Sequence, residues 1–251
     1  MSTTLPFDLH HVGVKFNRDG TVRRYPGNTI ICHVPRPGAL WDALVTTRDQ
    51  LAAGEAADSL AFLPPESYHM TVFEGVTDHV RAPLAWPADV PLDAPVDQCA
   101  RGFEQKLTRF DPACQLPLRM VIADRCAQNS VGVMTLTPID YEENRKLRTL
   151  RDRLSECLSI RHPSHNDYAF HITLAYPISA MTPAATDAYL ERQATCFEWI
   201  RRRVPIIELG APEFCTFDDM HAFETRLYLG SAPLAPLQHT APTALTAGEP
   251  Q

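Results

Sequence analysis

The sequence predicts an α+β fold of two pseudo-symmetric lobes, each an antiparallel sheet with helices packed outside, and an active-site cleft between the sheets. Two observations predict it. Strand and helix signals follow the same order in both halves of the 251 residues, which is typical of two related α+β units. A pattern of aromatic, His, apolar, Thr and apolar residues also occurs once in each half, at 68–72 and 170–174. We therefore expect one two-lobed domain over residues 1–230 and a tail at 231–251.

The first half alternates strand and helix signals. A hairpin is expected over 12–24, because Asp19 and Gly20 supply a turn with positive φ. A buried strand is expected at 29–34, which is rich in β-branched residues. The other elements predicted here are a helix over 38–53 bounded by Pro37 and Gly54, the first motif strand at 69–75, a proline-rich loop over 83–95 and a helix over 96–110.

The second half repeats these parts. Asp140 followed by Glu143 resembles a capping box and predicts a helix over 141–158. Thr182 and Pro183 open another helix that runs to about residue 202. The strands predicted here are 118–123, 131–137, the second motif strand 170–176, 206–209, 213–217 and 225–229, and the tail rich in Pro, Ala and Thr at 231–251 is predicted to be disordered.

Composition excludes several classes of protein. No apolar run approaches the roughly 20 residues that cross a bilayer, and the first residues do not form a secretory signal. The seven cysteines are scattered without a Cys-x-x-Cys pair, which argues against a disulfide framework or a structural zinc site. A net charge of −7 argues against long nucleic acid as the main partner. We expect a cytoplasmic protein with reduced thiols.

The repeated pattern contains two histidines and two threonines that are candidates for a site. Alternate side chains of a strand point to the same face, so His69 and Thr71 share a face, as do His171 and Thr173. Histidines with a pKa near 6.5 can accept and donate protons at neutral pH. Hydroxyl groups can donate hydrogen bonds to phosphoryl oxygens. The set can therefore bind a phosphate and transfer protons at both ends of a phosphoester, and no metal is required for these roles.

Other residues near the motifs are candidates for binding. By the same alternation, Phe73 shares the face of His69 and either stacks on a substrate ring or packs in the core. Ala175 holds the matching place in the second strand and leaves room there, while Tyr68 and Tyr176 fall on the opposite face and are expected in the core. The remaining substrate-binding candidates are Tyr168 and Asn28, which lie at the starts of strands, and Lys15.

Other kinds of site are disfavoured. His162 and His165 lie in a polar stretch at 161–167, but no cluster of Cys or Glu ligands accompanies them, so a loop with solvated histidines is favoured over a metal site. The chain also lacks a Gly-x-Ser-x-Gly elbow and a glycine-rich phosphate loop. The two His-x-Thr strands are therefore the main candidate site.

The paired His-x-Thr strands resemble the two-histidine (2H) phosphoesterase superfamily, which includes cyclic nucleotide phosphodiesterases and RNA 2′,5′-ligase-like proteins. The stretches 13–29, 68–75 and 170–176 are also similar to a bacterial and fungal branch of it without an assigned function. The resemblance covers about residues 11–230. It implies that His69 and His171 are catalytic, with His171 as the base and His69 as the acid, although the near-symmetry of the motifs leaves the reverse assignment open.

We therefore expect a phosphoesterase that needs neither metal nor cofactor and hydrolyses a small cyclic phosphate or phosphodiester, for which a 2′,3′-cyclic nucleotide is one candidate. Two alternatives stay open at this point: a binding module for a nucleotide or phosphorylated metabolite, and an enzyme that processes or ligates RNA ends. The expected partner is a small phosphoester, without long nucleic acid or membrane, and the expected state is a monomer.

Overall fold

The computed structural model describes residues 9–124 and 130–230, which form four α-helices and ten strands. The predicted tail at 231–251 lies outside the described residues. The helices are α1 (Ala39–Ala52), α2 (Val96–Leu107), α3 (Tyr141–Leu158) and α4 (Pro183–Arg203), and the strands are β1 (Gly27–His33), β2 (Leu60–Phe62), β3 (His69–Thr77), β4 (Leu118–Ile122), β5 (Val133–Pro138), β6 (His171–Thr173), β7 (Ala175–Pro177), β8 (Ile207–Leu209), β9 (Glu213–Phe217) and β10 (Glu224–Tyr228).

Eight of these strands form one strongly curled antiparallel sheet in the order β10-β9-β1-β3-β6-β5-β4-β8. The strands β2 and β7 form a small second sheet. The α+β class predicted from the sequence is confirmed. The eight-stranded sheet has two halves of four strands. One half includes β3 with the first motif, the other includes β6 with the second, and these two strands are neighbours at the centre of the sheet.

The junction between the two halves of the sheet is short. Only Met70 and Ile172 form a pair between β3 and β6, and both side chains are fully buried. On either side of them the motif side chains point the other way, since neighbours along a strand alternate. The two motifs therefore meet on one face of the sheet, while the apolar residues between them fill the core on the other face.

The helices α2 and α3 cover the core face. α2 packs on β1, β3 and β9, α3 packs on β3, β4 and β5, and the two helices also contact each other. The predicted apolar stripe of α3 faces the sheet, because Leu147, Leu150, Leu154 and Leu158 are all buried. The helices α1 and α4 pack together elsewhere, and α4 reaches β4. This arrangement leaves the motif face of the sheet open to form a cavity.

Both predicted helix starts are confirmed by their caps. The Asp140 carboxylate accepts a hydrogen bond from the Glu143 backbone N–H at 2.8 Å. The Thr182 hydroxyl oxygen accepts one from the Ala185 N–H at 3.2 Å, and Pro183 is the first residue of α4. Side-chain oxygens at these positions satisfy N–H groups that have no partner inside the helix. The sequence therefore gives the correct start of α3 and α4.

Two predicted strand regions differ from the structure. Residues 12–24 contain the expected turn, with Gly20 at φ +83°, but only isolated bridges flank it. Asp19 accepts hydrogen bonds from the Thr21 N–H and hydroxyl, which closes the turn on itself rather than extending it into a ladder. The predicted strand 170–176 is split at Leu174 into β6 and β7. Among the described residues, no helix is long and apolar enough to cross a membrane.

Candidate active site

The four motif side chains line one cavity of about 400 Å3 on the open face of the sheet. The register of the single pair between β3 and β6, continued by one residue on each side, sets His69 opposite Thr173 and Thr71 opposite His171. Opposed side chains in an antiparallel pair have Cβ atoms roughly 5 Å apart. Each imidazole thus lies beside the hydroxyl of the other motif, and the four groups surround a space suited to a phosphate.

Both histidines are held in the same orientation by the backbone. The Nδ1 atom of His69 lies 2.6 Å from the carbonyl oxygen of Ser67, and the Nδ1 atom of His171 lies 2.8 Å from that of Ala169. A carbonyl oxygen can only accept, so each Nδ1 carries the proton and donates it. The Nε2 atom of each ring is then left to accept or donate a proton in the cavity.

The imidazole of His69 lies in a desolvated environment. Burial and, to a smaller extent, the neighbouring rings of His33 and His171 lower the pKa of His69 to about 4. The hydrogen bond to Ser67 opposes this shift without cancelling it. His69 is therefore unprotonated at neutral pH, which is the state that a general base requires.

A β-bulge after the first motif changes which side chains reach the cavity. On β1, Ile31 pairs with Thr71 but Ile30 pairs with Phe73, so β3 contains one extra residue there. The alternation of side chains is shifted beyond this point. Phe73 is 1% exposed and lies in the core, whereas Glu74 lines the cavity. The expectation that Phe73 faces the cavity is therefore wrong. Phe73 packs in the core, which was the other position predicted for it.

The second motif strand is irregular at the equivalent place. The backbone N–H groups of Leu174 and Ala175 both donate to the carbonyl oxygen of Gly132, at 2.7 and 3.2 Å. Ala175 is buried and Tyr176 lines the cavity, which is the reverse of the predicted alternation. Tyr68, which precedes the first motif, is buried as predicted. The irregularity therefore brings one tyrosine of the second motif into the site.

The other two predicted binding candidates from the first half also line the cavity. Asn28 is 1% exposed, and its Oδ1 atom accepts a hydrogen bond from the Val76 N–H at 3.2 Å. Its Nδ2 atom has no hydrogen-bond partner within the described part of the chain. The Lys15 ammonium lies 5.2 Å from the ring centroid of Tyr25 and 5.1 Å from that of Tyr176. These residues give the cavity a cation and an amide between two aromatic rings.

Arg151 is a buried cation beneath the cavity that the sequence reading did not single out. Its side chain is 1% exposed, and it donates hydrogen bonds to the carbonyl oxygens of Val72 at 2.7 Å and His165 at 3.2 Å. The guanidinium lies 4.3 Å from the ring centroid of Tyr168, and one of its nitrogens is 3.9 Å from the Glu74 carboxylate. Arg151 thus holds the bulged strand at Val72 and supports two residues of the cavity wall.

Tyr168, the last predicted binding candidate, lines the cavity beside the first motif. Burial raises the pKa of its hydroxyl, while a hydrogen bond with Thr71 and the charge of Arg151 oppose the shift. The phenol is therefore neutral and shares a hydrogen bond with one of the phosphate-binding candidates. Its ring centroid is also 6.1 Å from that of His171, so it connects the two motifs.

The histidines of the loop 161–167 are not solvated as predicted. His165 is 4% exposed, and its Nε2 atom lies 3.0 Å from the Asp152 carboxylate. His162 lines the cavity, and its Nε2 atom lies 2.9 Å from the carbonyl oxygen of Gly75. The loop folds between the bulged part of β3, which provides the partner of His162, and α3, which provides the partner of His165. The sequence gives no periodic signal for this contact because the residues are far apart in the chain.

Aromatic residues between β9 and β10 close the cavity on the other side. Phe223 stands edge-on to His69, with ring centroids 4.3 Å apart, and Phe217 is 5.1 Å from Phe223. Met220 lines the same wall. This apolar cover accounts for much of the burial that lowers the pKa of His69, since burial disfavours the charged imidazole.

One group of side chains within the described residues has the composition of a metal site. Ligand atoms of His33, Glu213 and Cys215 lie within 4.8 Å of one another. The Glu213 carboxylate is already bonded to His33 at 3.0 Å and to the Thr225 hydroxyl at 2.6 Å. Burial raises the pKa of the Cys215 thiol to about 12, which leaves it protonated. The group is thus a closed hydrogen-bond network, and the expectation that the protein uses no metal stays a prediction.

Comparison with known proteins identifies the family of the chain. The family model 2H-phosphodiest, described as a domain of unknown function (DUF1868), matches residues 15–131, which include the first motif. A solved structure of the conserved protein of unknown function ATU0111 from Agrobacterium tumefaciens str. C58 superimposes with a TM-score of 0.80 at 33% sequence identity, over 87% of this chain and 91% of that chain. The chain belongs to the family of this protein. The label of the family model points to the 2H phosphoesterase superfamily, and the bacterial and fungal branch stays a prediction. No curated protein matches the sequence.

Proposed function

We propose that the chain is a phosphoesterase that hydrolyses a small cyclic phosphate or phosphodiester by acid–base catalysis with His69 and His171, without a metal. The observation that carries the proposal is the matched presentation of the two imidazoles. Each donates from Nδ1 to a carbonyl two residues earlier and keeps Nε2 for the cavity. Two imidazoles with the same tautomer on neighbouring strands are suited to transfer protons on either side of one phosphorus atom.

The threonines complete the chemistry. Hydrolysis places negative charge on the non-bridging oxygens of the phosphoryl group, and fixed hydrogen-bond donors stabilise that charge. Thr71 and Thr173 supply one hydroxyl from each motif, and both line the cavity. One histidine removes a proton from the attacking water, and the other protonates the departing alkoxide. Each proton transfer and each stabilising hydrogen bond of the proposed hydrolysis is then assigned to a side chain of this protein.

The electrostatics favour His69 as the base, which is the reverse of the assignment implied by the family resemblance. Its pKa of about 4 leaves it unprotonated before the substrate arrives. An anionic phosphoester bound beside it raises that pKa and makes the ring a stronger base in the complex. The proton of the leaving group then comes from His171.

The volume and the charges of the cavity indicate the class of substrate. Its volume of about 400 Å3 is that of a small-molecule site. Among the described lining residues, Lys15 supplies a positive charge, whereas Glu74 adds a negative charge. Binding of a long polyanion needs many Lys and Arg contacts, so this wall suits one small phosphoester whose charge is offset by the Lys15 ammonium, which lies near the rings of Tyr25 and Tyr176. We propose such a small molecule as the partner and a monomer as the active form.

The proposal is tested by hydrolysis of the four 2′,3′-cyclic nucleoside monophosphates in the presence of EDTA. Wild type is compared with the His69→Ala/His171→Ala double variant and with Thr71→Ser and Thr71→Val. The mechanism is supported if wild type hydrolyses the substrate in the presence of EDTA and the double variant does not. It also requires that Thr71→Ser retains turnover and that Thr71→Val loses it. Absence of turnover with these and with linear diesters would sink the hydrolase proposal and favour the binding module.

The roles of the two histidines are separated with an ester whose leaving group needs no protonation. A 4-nitrophenyl ester releases a weakly basic phenolate, so loss of the acid matters little while loss of the base stays costly. We expect His171→Ala to retain most of its rate on this ester and His69→Ala to lose it. The opposite result restores the assignment with His171 as the base.

A further inference from the structure

A second cavity adjoins His69 on the side away from the first. Its volume is about 430 Å3, and its lining includes His33, Arg36, Trp41 and Tyr228. Phe223, which stands edge-on to His69, lines both cavities. The two spaces therefore share a wall at the proposed catalytic base.

The two cavities extend in opposite directions along the strands. His33 pairs with His69 at one end of β1 and β3, whereas Gly27 pairs with Thr77 at the other end. The first cavity is lined by residues from the Thr77 end, and the second by residues at and beyond His33. β9 agrees with this division, because Phe217 lines the first cavity and Glu213 the second. The motif side chains line the first cavity, and His69 lies nearest the second, because its ring centroid is 6.3 Å from that of His33 and Phe223 lines both spaces.

This position has a chemical consequence. A phosphodiester carries two organic groups on one phosphorus atom. If the phosphorus lies among the motif side chains, one group extends toward Asn28 and Glu74 in the first cavity, and the other extends past Phe223 into the second. A cyclic monophosphate has both ester oxygens on one organic group and fills only one of the two spaces.

The lining of the second cavity, which includes Arg36 and the carboxylates of Glu66 and Glu213, suits an aromatic group with a polar substituent. The Arg36 guanidinium lies 5.5 Å from the ring centroid of Trp41, and none of the ion pairs between described residues includes Arg36. Tyr228 is 45% exposed. An indole and a phenol provide surfaces on which a planar ring stacks, and a guanidinium near them binds oxygen atoms of the same group.

We propose that the second cavity is the subsite for the second organic group of a linear phosphodiester, and that this group carries a planar aromatic ring. The inference rests on the proposed function and deepens it, since it assigns a linear diester with two organic groups as the preferred substrate. Trp41 and Tyr228 stack on the ring, and Arg36 binds its polar edge.

The test uses two esters with the same leaving group. Bis(4-nitrophenyl) phosphate and methyl 4-nitrophenyl phosphate both release 4-nitrophenolate, but only the first has a second aromatic group. We expect wild type to favour the diaryl ester by about fivefold or more in kcat/KM after correction for their uncatalysed rates, because stacking of one ring on an aromatic side chain is worth about that much at its lower limit. Trp41→Ala should remove most of this preference, and Tyr228→Ala should reduce it.

Trp199→Ala is the matched control. Trp199 is 40% exposed on α4, has Arg203 at 5.8 Å in the same kind of contact, and is not among the residues that line either cavity. This variant should leave the ratio of the two esters unchanged. A wild-type ratio near one, or equal changes in Trp41→Ala and Trp199→Ala, overturns the subsite while the phosphoesterase proposal stands.

A binding measurement decides the inference if neither ester is hydrolysed. The His69→Ala/His171→Ala variant is titrated calorimetrically with adenylyl-adenosine and with the methyl ester of adenosine 5′-monophosphate. Binding of the dinucleotide about tenfold tighter, lost when Trp41→Ala is added, supports the subsite even though hydrolysis has failed. Equal affinity for the two ligands refutes it.

Discussion

The partly buried imidazole of His69 should make the folded protein sensitive to mild acid. Its pKa is about 4 in the folded state, against roughly 6.5 for an unfolded histidine. Between these values the unfolded chain binds a proton that the native state does not, so stability is lost as the pH falls through this range. The two pKa values give a loss of roughly 2 kcal/mol by pH 5 and roughly 3 kcal/mol by pH 4 relative to neutral pH.

The measurement is the free energy of unfolding in urea between pH 7 and pH 4 for wild type and His69→Asn. Asparagine does not titrate in this range, and its amide can still donate to the carbonyl of Ser67. The variant should therefore lack the loss due to this histidine, while the contributions of all other groups remain. Parallel curves for wild type and His69→Asn would refute the argument that His69 is held neutral by burial.

Three further predictions concern the support of the site. Thr173→Val should lower kcat/KM of the proposed hydrolysis by roughly 10- to 100-fold with a smaller effect in Thr173→Ser, because the hydroxyl bonds to a charged oxygen; equal rates for Val and wild type would exclude that role. Arg151→Met should lower the free energy of unfolding by roughly 2–5 kcal/mol, because two buried carbonyls lose their donor; an unchanged urea midpoint would contradict it. Gly75→Ala should destabilise the protein, since an added Cβ would overlap Asn28 on the neighbouring strand, whereas Gly102→Ala in α2 has open space and should be stabilising by about 0.5–1 kcal/mol. The measurement is the Tm of Gly75→Ala and of Gly102→Ala, and equal shifts in Tm from wild type would refute the packing argument.

The sequence predicts the centre of the candidate site because that part depends on a local rule. A histidine and a threonine two residues apart share a face in any regular strand, so the placing of His69 with Thr71 and of His171 with Thr173 needs no tertiary information. The caps of α3 and α4 are local in the same sense. These features were therefore predictable from short stretches of sequence.

The margins of the site depend on contacts between distant segments. The bulge that buries Phe73 and exposes Glu74 arises in the pairing of β3 with β1. The irregularity that brings Tyr176 into the cavity depends on the carbonyl of Gly132, about forty residues earlier in the chain. Alternation continued past a bulge gives the wrong face for every later residue. This is the physical reason why the residues just after each motif were misplaced.

Arg151 left a signal in the sequence that periodicity could have found. It lies four residues after Leu147 and three before Leu154, within the apolar stripe of α3. A charged residue on the buried face of a helix needs partners, and in this fold they are backbone carbonyls beneath the cavity. By contrast, nothing local indicates that His162 reaches β3, because that contact depends on how the loop folds back.

The single pair between β3 and β6 has a consequence for ligand exchange. One backbone pair, between Met70 and Ile172, joins the two halves of the large sheet. A phosphate held by one histidine and one threonine from each half adds hydrogen bonds across that junction. Two free energies are then equal: the one by which bound ligand stabilises the contact between the halves, and the one by which that contact strengthens ligand binding. Release of product and loosening of the central strands are therefore linked events.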